Sequence, residues 1–91
     1  MIRRQKQGQD VRVTFALPQS SVPGKVSVVG DFNDWTPGAH PLIKRTNGTQ
    51  SAVVSLPGGT VHRFRYLAEN GHWFDDPEAD RHTHEGGVLH V

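Results

Sequence analysis

Residues 61–74 read VHRFRYLAENGHWF, and their alternation decides the fold. In an extended chain His62, Phe64, Tyr66 and Ala68 share one face, and Val61, Arg63, Arg65 and Leu67 share the other. The first face is the better core, so the stretch reads as a half-buried antiparallel strand. No stretch of the chain keeps helical spacing for more than one turn.

The turn Glu69-Asn70-Gly71 then sets which face Trp73 takes. A two-residue loop of Asn70 and Gly71 would pair Glu69 with His72 and lay Trp73 beside Ala68, on the core face. A three-residue loop, with Gly71 supplying a positive-φ bulge, pairs Leu67 with Trp73 and places Trp73 outside with Arg65. The second register is preferred because it sends Phe74 inward to join Phe64 and Tyr66. A slip of one residue would reverse the assignment.

Similar patterns recur on both sides. Val11, Val13, Phe15 and Leu17 lie on one face of a strand that Pro18 ends. Lys25 to Val29 is rich in β-branched residues and is bounded by turn signals at Pro23-Gly24 and Gly30-Asp31. A long turn, Gly30 to Gly38, carries two large aromatics among residues that bend backbone. Further strands are predicted at Leu42-Ile43, Gln50 to Leu56, His72 to Asp75 and Val88 to Val91, with a polar segment before Gly87. The expected fold is all-β, an immunoglobulin-like antiparallel sandwich of about seven strands. One domain spans 1–91, with residues 1–9 expected to form a flexible N-terminal arm.

Composition narrows the function. A chain of 91 residues buries about 60 to 65% of its unfolded surface, so a deep catalytic cleft would compete with the core for side chains. Cysteine is absent, which removes disulfides and thiolate metal sites and makes the cytoplasm the default location. Arg3, Arg4 and Lys6 are followed by polar residues, not by the apolar run of a signal peptide, and no membrane segment is read. Ten Lys and Arg against nine Asp and Glu leave no field for nucleic acid and suit a neutral ligand.

Residues 26–35, VSVVGDFNDW, together with Phe64-Arg65-Tyr66-Leu67, Gly71-His72-Trp73 and Asp76-Pro77, resemble the early-set glycogen- and starch-binding modules. Such modules stand at the front of isoamylases and glycogen-branching enzymes and in the β subunit of the AMP-activated kinase. The nearest likeness is to stand-alone bacterial early-set proteins, and it covers Val11 to Val91. The resemblance implies a non-catalytic module on which Trp35 and Trp73 stack glucose rings either side of Arg65, where the kinase modules carry a lysine. It also implies an α-glucan ligand and a glycogen-metabolism enzyme or kinase as partner. In one respect the chain departs: Glu78 to Gly87 is shorter than in the kinase modules, and Gly86-Gly87 stands where an asparagine would touch sugar.

The chemistry of these residues suits the implied ligand. An indole covers the C–H face of a pyranose while the hydroxyls stay solvated, and a guanidinium donates to vicinal hydroxyls. The competing readings are core packing for the tryptophans and a surface ion pair with Asp75 for Arg65. Asp75, Asp76, Glu78 and Asp80 are read as an exposed turn, not as carboxylates opposed across a cleft. His82-Thr83-His84 with Glu85 falls short of a metal site, and no cofactor is expected. The alternative function is a protein-interaction or regulatory domain that has lost sugar binding.

Overall fold

The computed structural model describes residues 1–21 and 24–91 and shows an immunoglobulin-like sandwich of the early-set kind. In chain order its strands are β1 (Ile2–Gln7), β2 (Asp10–Pro18), β3 (Val26–Gly30), β4 (Ile43–Lys44), β5 (Thr49–Pro57), β6 (Val61–Ala68), β7 (Trp73–Phe74), β8 (Arg81–Thr83) and β9 (Gly86–His90). Pro23, half of the turn signal before β3, lies outside the described residues.

One sheet runs β1-β2-β5-β4; the other runs β3-β6-β9-β8, with β7 also paired to β6. All pairings are antiparallel. Both sheets feed a single core. Val13, Phe15 and Leu17 of β2 meet Val26 and Val28 of β3, Ala52, Val54 and Leu56 of β5, Phe64 and Tyr66 of β6, and Leu89 of β9. The alternation seen in the sequence is thus the alternation of burial.

The hairpin takes the three-residue register. Leu67 pairs with Trp73 and Tyr66 with Phe74, while Ala68 donates its N–H to the His72 carbonyl at 2.8 Å. Gly71 has φ +82, the left-handed conformation that the bulge requires and that a side chain disfavours. Phe74 packs on the core against Tyr66, with ring centroids 5.3 Å apart.

Two strands differ from expectation. Residues 1–9 do not form a free arm: β1 pairs with β2 from Ile2↔Phe15 to Gln7↔Asp10, and Ile2 packs on the core. Arg4 clasps the far sheet, donating from Nε to the His90 carbonyl at 2.9 Å and pairing with Asp80 at 2.7 Å. The second is β8, inside what reads as polar segment, which pairs with β9 through Arg81↔Val88.

The carboxylates near Pro77 are not all exposed, as the sequence suggests. Asp76 is buried, accepting the Tyr66 hydroxyl at 2.6 Å and the Glu78 N–H at 2.8 Å. His82 Nε2 lies 2.7 Å from the Asp76 carbonyl. Burial, reinforced by the bond to Asp76, pushes the Tyr66 hydroxyl far above its ordinary range. In the folded chain this phenol stays protonated, whereas in the unfolded chain it ionises near pH 10. The native state then binds more protons, so stability falls as pH rises past that point, by about 1.4 kcal/mol per pH unit from this residue. Tyr66→Phe is expected to remove that slope and to lower neutral-pH stability by about 1 to 3 kcal/mol, because Asp76 loses its donor. Urea melts of both proteins from neutral to alkaline pH would show the two slopes.

Candidate functional site

The outer face of the β6 sheet carries Arg65 and Trp73, with Trp35 in the loop that follows β3, and β6 organises it. One edge of β6 pairs with β3, from Gly30↔Phe64 to Val26↔Ala68. Along the other edge lie β9, opposite Val61 to Phe64, and β7, opposite Tyr66 and Leu67. Arg65 therefore stands at the seam where the partner of β6 changes. Its Nε pairs with Asp75 at 3.2 Å, just past β7, and its terminal nitrogen donates to the His84 carbonyl at 2.7 Å, in the turn between β8 and β9. Arg65 staples the two segments together.

That staple explains the glycine that replaces the expected asparagine. Gly86 has φ +127, and a Cβ there would stand 2.9 Å from the Phe64 carbonyl oxygen and 3.0 Å from Arg65 Cγ. The arginine side chain passes over Gly86 and takes the space a side chain would need. Two of the five guanidinium N–H groups are engaged with Asp75 and His84, leaving three able to reach a ligand.

Trp73 projects from β7 on the same face, 44% exposed. Trp35 is 38% exposed and sits beyond the end of β3, its N–H bonded to the Gly30 carbonyl at 2.9 Å. Neither indole is a core side chain. Counting two strand spacings and three residues, Gly30 and Trp73 are separated by a diagonal of roughly 14 Å, with Arg65 between.

The loop that presents Trp35 is strained. Asp34 and Trp35 have φ +54 and +56, conformations that an aspartate tolerates and a tryptophan rarely adopts. What enforces them is Asn33. Its Oδ1 accepts the Gly30 N–H at 3.0 Å, and its amide nitrogen lies 3.1 Å from the Val28 carbonyl and 2.9 Å from His40 Nδ1. Phe32 anchors the same turn on Phe15, centroids 5.9 Å apart. The composition of Gly30 to Gly38 predicts a turn but gives no sign that Trp35 is held in a left-handed conformation.

A second array went unread in the sequence. His62 Nδ1 lies 2.8 Å from Asp31 Oδ1 and its Nε2 lies 2.8 Å from Thr60 Oγ1. The Thr60 hydroxyl donates to the Pro57 carbonyl at 2.6 Å, so its proton points away from His62. This line clasps the Asp31 turn onto β6; it is not arranged as nucleophile and base. Nor do His82 and His84 converge: His82 is held at the Asp76 carbonyl and His84 is almost fully exposed. Among the described residues no three metal-ligating side chains come together.

No family model matches the chain. It is similar in part to 1,4-alpha-glucan branching enzymes (GlgB). That of Aquifex aeolicus is 35% identical over 63 residues, covering 68% of this chain and 10% of the enzyme. The Rhodopirellula baltica enzyme is 41% identical over 59 residues, covering 59% of this chain and 8% of the enzyme. For Salinibacter ruber the identity is 40% over 73 residues, covering 68% and 11%. The chain thus spans about a tenth of the length of the curated relatives it matches. It is a small all-β module similar to one segment of glucan-branching enzymes.

The left-handed backbone at Trp35 has a measurable cost. Trp35→Gly is expected to be more stable than Trp35→Ala by about 1 kcal/mol, since glycine adopts φ near +56 freely. Were the chain at position 35 not held at positive φ, the glycine variant would be the weaker of the two. Thermal unfolding of both decides between these outcomes.

Proposed function

We propose that this chain is a non-catalytic module that binds α-glucan on the outer face of the β6 sheet, with Trp35 and Trp73 as stacking surfaces and Arg65 as the hydrogen-bond donor between them. The observation that carries the reading is the exposure of both indoles, together with a guanidinium on the strand row of Trp73 that keeps donors to spare. A monomeric sugar would need one such surface; two at a distance favour a chain of glucose units. The partial similarity to branching enzymes supports a glucan as the class of ligand. A catalytic domain acting on the same polysaccharide, or a glycogen-associated kinase, is the partner class this implies. Among the described residues no helix is long and apolar enough to cross a membrane, and the proposed site of action is the cytoplasm.

A second reading, an interaction domain that has lost sugar binding, draws on the use of Arg65 as a staple between Asp75 and His84. In that case the guanidinium serves the fold alone.

Titration with malto-oligosaccharides, followed by amide and indole shifts, tests both. Trp35→Ala and Trp73→Ala are each expected to weaken binding by about 1 to 3 kcal/mol, by analogy with bases stacked on aromatics, with the fold kept. Retained affinity in both variants, or no binding by the parent protein, would sink the platform. Raising salt toward molar concentration is expected to change the affinity little, because a neutral ligand releases no counterions. A steep salt-dependent loss measured by calorimetry would point to an anionic ligand instead.

A further inference from the structure

The same face continues past Arg65 into a hollow that the neutral-glucan reading does not use. Arg63, Val88 and Arg81 stand directly opposite one another across β6, β9 and β8. Their side chains therefore share the outer face. With Asp31, Val61, Thr83 and His90 they line one concavity. Val88 faces outward yet is only 7% exposed, so the floor between the two arginines is an apolar side chain largely covered by its neighbours.

Charges around the hollow are unevenly spent. Asp31 is committed to the His62 ring and to the Arg63 N–H at 3.1 Å. Glu85 faces Arg63 at 3.8 Å, with both side chains more than half exposed, a pair of little strength. Asp80 is taken by Arg4 and Asp75 by Arg65. Arg81 lies outside the ion pairs of the described residues, which engage Arg4, Arg63 and Arg65 among the arginines. The Thr83 hydroxyl donates to the Gly86 carbonyl at 3.0 Å and does not compete for a guanidinium.

We propose that this hollow is an anion subsite in which Arg63 and Arg81 receive a phosphate monoester borne by the glucan. The inference rests on the reading of Trp35 and Trp73 as a glucan platform. Arg63 is two residues from Arg65 on β6, about 7 Å along the strand, so the hollow adjoins the proposed platform at Arg65. A phosphate monoester carries close to two negative charges at neutral pH and three acceptor oxygens. Planar guanidinium forks on either side of an apolar floor match such a group better than they match a neutral hydroxyl.

Calorimetry with the intact protein compares a neutral malto-oligosaccharide, its phosphorylated counterpart, and glucose 6-phosphate. The phosphorylated chain is expected to bind about tenfold more tightly than the neutral one, the size of a charge-assisted hydrogen bond. That advantage should shrink in high salt and vanish in the Arg63→Gln, Arg81→Gln double variant, whose unchanged affinity for the neutral chain shows that it is folded. Arg81→Gln alone should lose part of it. Equal affinity for both chains overturns the subsite and leaves the platform standing. An advantage that survives in the double variant places the anion elsewhere and overturns it too. Tighter binding of glucose 6-phosphate than of the phosphorylated chain assigns the hollow to a free sugar phosphate and overturns the chain-borne reading. Failure of both oligosaccharides to bind defeats the platform, and the subsite with it.

Discussion

The pairing of Leu67 with Trp73 across a three-residue turn is the constraint on which the candidate face depends. Because side chains alternate along a strand, this one choice sends Phe74 onto Tyr66 in the core and leaves Trp73 in solvent beside the row of Leu67, Arg65 and Arg63. A register shorter by one residue would bury the indole and expose the phenyl ring. The core and the candidate site are therefore two consequences of the same loop length. Gly71, at φ +82, is where the chain satisfies that length.

Behind this face the fold spends its buried polar chemistry on holding loops. Asp76 is nearly inaccessible, yet its carboxylate is bonded to Tyr66 and to the Glu78 N–H. The carboxylate pins the segment after β7 to the central strand at the level of the core. Asp75, its neighbour, is thereby held where Arg65 can reach it. Arg65 in turn reaches the His84 carbonyl and joins that segment to the β8–β9 turn. A buried carboxylate without such partners would cost several kcal/mol, so its full satisfaction makes the network a determinant of loop position.

Much of this was legible in the residues, and what was not has physical reasons. The strands β2, β5 and β6 announce themselves because one face is buried more than the other and period-two alternation survives, while β3, buried on both faces, shows itself by β-branched residues between turn signals. Edge strand β1 does not: it carries Arg3, Arg4 and Lys6, charges that protect an exposed edge and make it look like a solvated arm. Strand β8 is three residues long, too short to show a period. Asp76 reads as an exposed turn residue because its partner Tyr66 lies ten positions away, outside any local pattern. The outward placement of Trp73 followed from the hairpin, whereas the left-handed backbone of Trp35 depends on three side-chain contacts of Asn33 that no spacing rule encodes.

Strain and rigidity converge on the two ends of the proposed platform in different ways. Trp73 is fixed by strand pairing, a regular and unstrained arrangement. Trp35 is fixed by a loop that holds a tryptophan in a conformation costing of order 1 kcal/mol or more, against the preference of its own β-carbon. A loop under selection for stability alone would place glycine or asparagine at that position. A large apolar side chain stands there instead, with more than a third of its surface in water, so only part of its apolar area is returned as burial. On the proposed platform that strain is the cost of holding an indole outward before a ligand arrives, so that binding need not reorganise the loop.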